Sequence, residues 1–125
     1  MFRSARTAYE CGGKATASSR ELESAALFKS ARMLEACQQG WDAPERPGSL
    51  EKALRFNQKL WTFFQGELTA PECALPTDLR TNLLRLSAFV DQRTFELMAR
   101  PEREKLQALI DINRHIASGL AMTPS

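Results

Sequence analysis

Proline and glycine residues divide this chain into stretches with a helical repeat. They cluster in residues 40–48 and 70–76 and at Pro101, and proline ends or kinks a helix because it lacks an amide donor and restricts the residue before it. Between these breaks apolar side chains recur every three or four residues, and no useful length alternates with period two. We therefore predict an all-α fold, a small four-helix up-and-down bundle. The expected helices span about residues 18–39, 50–68, 77–99 and 102–119.

Sequence signals also predict where these helices start and stop. Ser18 and Glu21 have the spacing of a capping box, which predicts the start of the first helix. Gly40 would supply a left-handed residue at its end. Ser49 would cap the second helix, and Pro101 would separate the third from a fourth that restarts at once.

The length of 125 residues is that of one domain. Residues 1–17 are mostly small and polar and contain Gly12-Gly13, so we predict a flexible, mobile N-terminal arm there. Residues 18–120 would form a single helical domain, and residues 121–125 a C-terminal tail.

The formal charge of +2 is concentrated in the arm. Residues 1–17 hold three basic side chains and one acidic one, which leaves fourteen of each sign in residues 18–125. A nucleic-acid-binding protein usually has a basic patch or a high isoelectric point, and a value near 8.6 with interleaved signs is neither. We therefore expect no direct nucleic-acid binding.

The residue types of common catalytic and metal sites are sparse and scattered. The three cysteines, Cys11, Cys37 and Cys73, form no CxxC pair, so we expect reduced thiols. His115 is the only histidine, and it falls on the polar side of its helix without a second ligand in register. The sequence thus predicts no catalytic residues, no metal and no cofactor, and a protein that is not an enzyme.

The apolar stretches are also too short for a membrane protein. None approaches the ~20 residues that span a bilayer. The first residues, from Met1 to Arg6, lack the apolar segment of a secretory signal. We expect a cytoplasmic protein without membrane contact.

Asn57 and Asn113 each lie inside the apolar arc of a predicted helix. A buried amide must find hydrogen-bond partners or cost ~1–3 kcal/mol. We interpret both as structural core amides that pair with each other or with a loop carbonyl. The alternative is that they grip the backbone of a partner. Their spacing of 56 residues repeats at neighbouring apolar positions, but amphipathic helices match easily, so this does not establish a duplication.

The third helix is apolar on two sides, roughly 140° apart at ~100° per residue. Its main stripe, expected in the core, is Leu79, Leu83, Leu86, Val90 and Leu97. The second stripe is Leu84, Ala88, Phe95 and Met98. A helix of this kind buries both stripes in its own fold or buries one against a partner. We place the partner-binding site on the second stripe and, as the next choice, on the aromatic end of the second helix, at Trp61 and Phe64.

Four stretches of the chain resemble the FlaF family in order and spacing, from about Tyr9 to Leu120. They are TASSRELE at 16–23, FNQKLWT at 56–62, LPTDLRTNLLRLSAFV at 75–90 and INRHIASGL at 112–120. The family more often has proline at the position of Ser19. The cysteines and the Gly12-Gly13 pair are not features of the resemblance, so it assigns them no role.

The resemblance implies a protein of bacterial flagellum biogenesis. Members of that family promote flagellin production, oppose the FlbT family of flagellin translation repressors, and act as flagellin secretion chaperones. The implied partner is flagellin, through its terminal amphipathic helices, and an FlbT-type regulator is a second candidate. The alternative is a post-transcriptional regulator that acts through an FlbT-type repressor or flagellin mRNA without binding flagellin.

Overall fold

Four α-helices follow one another in the computed structural model, which describes residues 17–121. They are α1 (Ala17–Gln39), α2 (Arg46–Thr69), α3 (Thr77–Ala99) and α4 (Leu106–Ala121), with a short 3₁₀ helix at Arg103–Lys105. No strand occurs among these residues. The predicted all-α, four-helix class is confirmed. The predicted arm and tail lie outside the described residues, apart from Ala17 and Ala121.

The start of α2 differs from the prediction. The helix begins at Arg46, so Pro47 lies in its first turn and Ser49 is inside the helix instead of capping it. Residue Glu45 precedes the helix and makes no side-chain capping bond. Proline suits a first turn because its fixed φ is helical and the amide it lacks would have no partner there. The loop is therefore shorter than the predicted 40–48.

The two ends of α1 also correct the predicted signals. The helix begins at Ala17, so Ser18 lies in its first turn instead of before it. Gly40 does not adopt the left-handed conformation. The chain leaves α1 through successive turns, in which the Gly40 amide donates to the Ala36 carbonyl (2.9 Å) and the Ala43 amide donates to the Gly40 carbonyl (3.0 Å).

The break at Pro101 is confirmed. Arg100 is extended, with φ −146° and ψ 92°, as expected for a residue before proline. Its amide still donates to the Glu96 carbonyl (2.8 Å) and closes α3. The chain then forms the 3₁₀ turn, so α4 begins at Leu106, four residues later than predicted.

Consecutive helices run antiparallel, and α1, α2 and α4 together form the core. The longest contact joins α1 to α4, where the Ser24 hydroxyl donates to the Ala117 carbonyl (2.9 Å) and Arg114 pairs with Glu35 (2.6 Å). Helix α2 packs on α1 and reaches α4 through the Asn57 and Trp61 side chains, and α3 packs mainly on α2. The core side chains are Leu27, Ala31, Leu34, Cys37, Leu50, Ala53, Leu54, Trp61, Val90, Leu97, Leu106, Leu109, Ile110 and Ala117.

No helix in residues 17–121 has the length and apolar character that crossing a membrane requires.

Candidate functional site

Helix α3 is anchored on one side only. It packs along α2 and has few contacts with α4, which it meets near the connecting turn, where Arg93 Nη1 donates to the Lys105 carbonyl (3.1 Å). Four of its residues are buried, namely Ser87, Val90, Thr94 and Leu97. Much of the apolar surface of α3 therefore has no neighbour among the described residues.

The main stripe of α3 is only partly in the core, which corrects the prediction. Val90 and Leu97 are fully buried, whereas Leu79 is 45% exposed and Leu83 and Leu86 are half-buried. The difference follows the packing, because the N-terminal half of α3 lies where α1 and α4 do not cover it.

Two polar residues that the sequence prediction missed occupy the buried side of α3. The Ser87 hydroxyl donates to the Leu84 carbonyl (2.9 Å), and the Thr94 hydroxyl donates to the Val90 carbonyl (2.6 Å). Both bonds stay within the helix, so each hydroxyl is satisfied without a partner on another element. The sequence signal that could have identified them is their spacing of seven residues, which places both on one face of a helix.

The predicted second stripe varies in exposure along its length. Phe95 is 61% exposed and Ala88 is exposed, whereas Leu84 and Met98 are half-buried. Met98 packs against the core and also lines a cleft between α2 and α3. The stripe thus presents an exposed aromatic ring beside a cleft that both apolar and charged side chains line.

The aromatic end of α2 lies mostly inside the fold. Trp61 is 2% exposed, and its ring meets Phe64 edge-on at a centroid distance of 5.6 Å. Phe64 is half-buried and packs against the core, with Phe63 at a further 5.6 Å. Trp61 therefore presents almost no surface to a partner, and this second choice of binding site is weaker than the α3 stripe.

Asn57 and Asn113 are fully buried and bonded to each other. Asn113 Nδ2 donates to Asn57 Oδ1 (2.8 Å), the Ser30 hydroxyl donates to the same oxygen (2.8 Å), and Trp61 Nε1 donates to Asn113 Oδ1 (2.9 Å). Indole nitrogen can only donate, so Trp61 fixes the orientation of the Asn113 amide, which in turn fixes Asn57. The network links α1, α2 and α4 in one register. Asn57 Nδ2 has no hydrogen-bond partner within it.

The cysteines divide into two cases. Cys37 is free and 4% exposed, and burial raises the pKa of its thiol while the nearby Arg46 opposes that shift. Cys73 is disulfide-bonded, so the prediction of reduced thiols is wrong at that position. Cysteines distant in sequence can pair once the fold brings their Cα atoms within about 7 Å.

Titratable side chains do not converge on a reactive centre in the described part of the chain. His115 is exposed on α4, and its Nδ1 lies 2.9 Å from the Asp111 carbonyl oxygen. No group of three or more His, Cys, Asp or Glu side chains in residues 17–121 is placed to hold a metal ion. The most distinctive feature of α3 is its exposed apolar stripe.

Comparison with models of protein families agrees with the four stretches that resemble the FlaF family. Searches of curated proteins and of solved structures gave no match. The family model described as flagellar protein FlaF, which is not a known enzyme family, matches residues 5–120. Because that match covers nearly the whole chain, the protein belongs to the FlaF family of flagellar proteins.

Proposed function

We propose that this protein is a non-enzymatic regulator of flagellum biogenesis that binds flagellin as a cytoplasmic chaperone. The observation that carries the proposal is the exposed part of the second stripe of α3, with Phe95 61% exposed and Ala88 exposed two helical turns before it. Membership of a flagellar protein family supports the choice of partner. Binding would promote flagellin synthesis and secretion by holding the subunit in a form ready for export.

The physical basis is the burial of apolar surface. A terminal amphipathic helix of flagellin lying along the stripe would cover Phe95, Ala88 and Leu84, each of which now has area in contact with water. Each Å² of apolar area covered contributes about 25 cal/mol, less the cost of ordering the helix. The same contact would hide the flagellin surface that drives self-assembly.

Isothermal titration of purified flagellin into the protein tests this. Ala88→Glu with Phe95→Glu places two charges on the stripe at exposed positions, so we expect affinity to fall by at least about tenfold. The thermal unfolding midpoint should barely change, because neither side chain is in the core. Leu22→Glu is the matched control, since Leu22 is 65% exposed but lies on α1.

Two results would redirect the proposal. If the double variant binds flagellin with wild-type affinity, flagellin does not bind at this stripe. Binding of an FlbT-type protein together with no binding of flagellin would favour the alternative, regulation through the translational repressor.

A further inference from the structure

A cleft of about 400 Å³ lies between the first half of α2 and the last turn of α3. Leu54 and Leu97 form part of its lining and are almost fully buried, at 1% and 0% exposure. Met98 and Pro101 line the α3 side. The cleft therefore has an apolar floor, and its volume suits one large side chain.

The cleft continues the α3 stripe. Met98 belongs to both, and Phe95 lies one helical turn before it. A helix lying along Phe95 towards the end of α3 would reach the mouth of the cleft. Surface and cleft can thus be occupied by a single partner segment.

The α2 wall of the cleft carries positive charge. Arg46 and Arg55 line it together with one carboxylate, Glu51. Lys59 follows Arg55 by four residues, which places it on the same side of α2, one helical turn beyond the residues that line the cleft.

The two arginines of the α2 wall are held in different ways. The Arg46 guanidinium lies 4.1 Å from the Trp41 ring centroid, and its Nε donates to the Trp41 carbonyl (3.0 Å). Arg55 pairs with Glu51 at 3.0 Å, but both side chains are more than half exposed. Exposed pairs are weak, so Arg55 remains able to contact a partner.

We propose that the cleft receives one large apolar side chain from a partner helix whose neighbouring residues are acidic. The side chain packs on Met98 and Pro101, which line the cleft and keep area in contact with water, and the carboxylates face Arg55 and Lys59. This inference rests on the proposed function and specifies which segment of a flagellin helix fits. A protein helix fits better than RNA, because the floor of the cleft is apolar and offers no donor to a phosphate.

Two synthetic amphipathic peptides test the inference without flagellin. They share one leucine-rich face, and their polar faces carry glutamate in one and lysine in the other. Fluorescence anisotropy should show the glutamate peptide binding about tenfold more tightly at low salt, with the difference shrinking as salt screens the exposed charges. Arg55→Glu with Lys59→Glu should reverse the preference. Lys29→Glu with Arg32→Glu, an equal charge change at exposed positions of α1, should leave it unchanged.

Methionine methyl resonances report the place of binding. In protein with ¹³C-labelled methionine methyls, the glutamate peptide should shift the Met98 signal. It should leave that of Met33 unchanged, since Met33 is also half-buried but lines a separate cleft on α1. Assignment of the Met98 signal follows from Met98→Leu.

Several outcomes overturn the inference. They are equal affinities for the two peptides, binding of neither, a shift at Met33 instead of Met98, or displacement of the peptide by polyuridylate at physiological salt. The outcome for flagellin is separate. If the glutamate peptide binds at Met98 and flagellin does not bind, the cleft stands and the proposed function fails. If flagellin binds and both charge-reversal pairs behave alike, the function stands and the cleft assignment fails.

Discussion

Helices α3 and α4 have similar apolar patterns and very different environments. In α4 the residues Leu106, Leu109 and Ile110 are fully buried, because the helix packs along α1 and also meets side chains of α2. Helix α3 is longer and rich in leucine, yet Leu79 is 45% exposed. The comparison teaches that an apolar stripe indicates which residues of a helix could be buried. How many of them are buried depends on the neighbouring helices.

The polar groups of the two regions differ in the same way. In the core, Asn113 exchanges hydrogen bonds with Asn57 and Trp61 across helices. In α3, Ser87 and Thr94 bond to carbonyls of their own helix. Interhelical bonds fix one register between elements, and intrahelical bonds do not. The bond that joins α3 to α2, from Gln65 Nε2 to Asp91 Oδ2 (2.8 Å), is only part-buried.

Two leucine truncations give the largest test of the comparison. Leu109→Ala in the core should lower the free energy of unfolding by ~2–5 kcal/mol, because it removes fully buried methyl groups and leaves a cavity. Leu79→Ala should cost less than about 1 kcal/mol, because nearly half of that side chain is already in water. Urea unfolding followed by circular dichroism measures both. Equal losses would contradict the distinction between core and α3.

Removal of one core amide should have the next largest effect. Asn113→Ala leaves Trp61 Nε1 without an acceptor, and an unsatisfied buried group costs ~1–3 kcal/mol. A double-mutant cycle with Asn57→Ala should give a coupling energy of roughly 0.5–3 kcal/mol. Thr94→Val is the control in α3, since its hydroxyl bonds only within the helix. Strict additivity of the two asparagine variants would show that their hydrogen bond contributes nothing.

Hydrogen exchange should show the same contrast without any substitution. Amides in the first half of α3, residues 80–88, should exchange faster than those of α4 residues 110–117, because few contacts outside α2 oppose their local opening. Native-state exchange at several urea concentrations measures the opening free energies. Equal protection in the two helices would mean that α3 opens only with the whole fold.

The smallest expected effect is the contribution of Cys37 to the pH dependence of stability. Cys37 lies near the end of α1. Burial raises the pKa of its thiol above the ordinary 9.0, so the folded state keeps the proton longer than the unfolded chain. Stability from this group is therefore fully present below about pH 9 and falls as the pH rises from there. Thermal unfolding between pH 7 and about pH 10 should show a decline that Cys37→Ala reduces. An unchanged decline would assign it to other groups.

The local signals for individual helices were sufficient to predict the four helices and the break at Pro101. Proline removes an amide and restricts its neighbour in any context, so this prediction required no tertiary information. Pro47 shows the limit, because proline is compatible with a loop and with a first helical turn alike. The sequence therefore placed the α2 start too late, and Gly40, which can adopt many conformations, was given one that it does not use.

The partner surface could be predicted only in part. The two stripes of α3 follow from helical periodicity alone, but the cleft beside Met98 exists only because α3 lies against the first half of α2. The disulfide of Cys73 likewise depends on proximity in space.

By itself, the sequence determined the helical class, the number of helices, the main breaks and the family resemblance, since each depends on residues close together along the chain. Only the tertiary structure decided which apolar stripe is buried, that Asn57 meets Asn113, and that Phe95 stays in water. The physical reason is that burial and hydrogen bonding between helices are properties of pairs of elements. The sequence of one helix fixes which apolar and polar groups lie on each face, and the neighbouring helices determine which of these groups become buried or hydrogen-bonded.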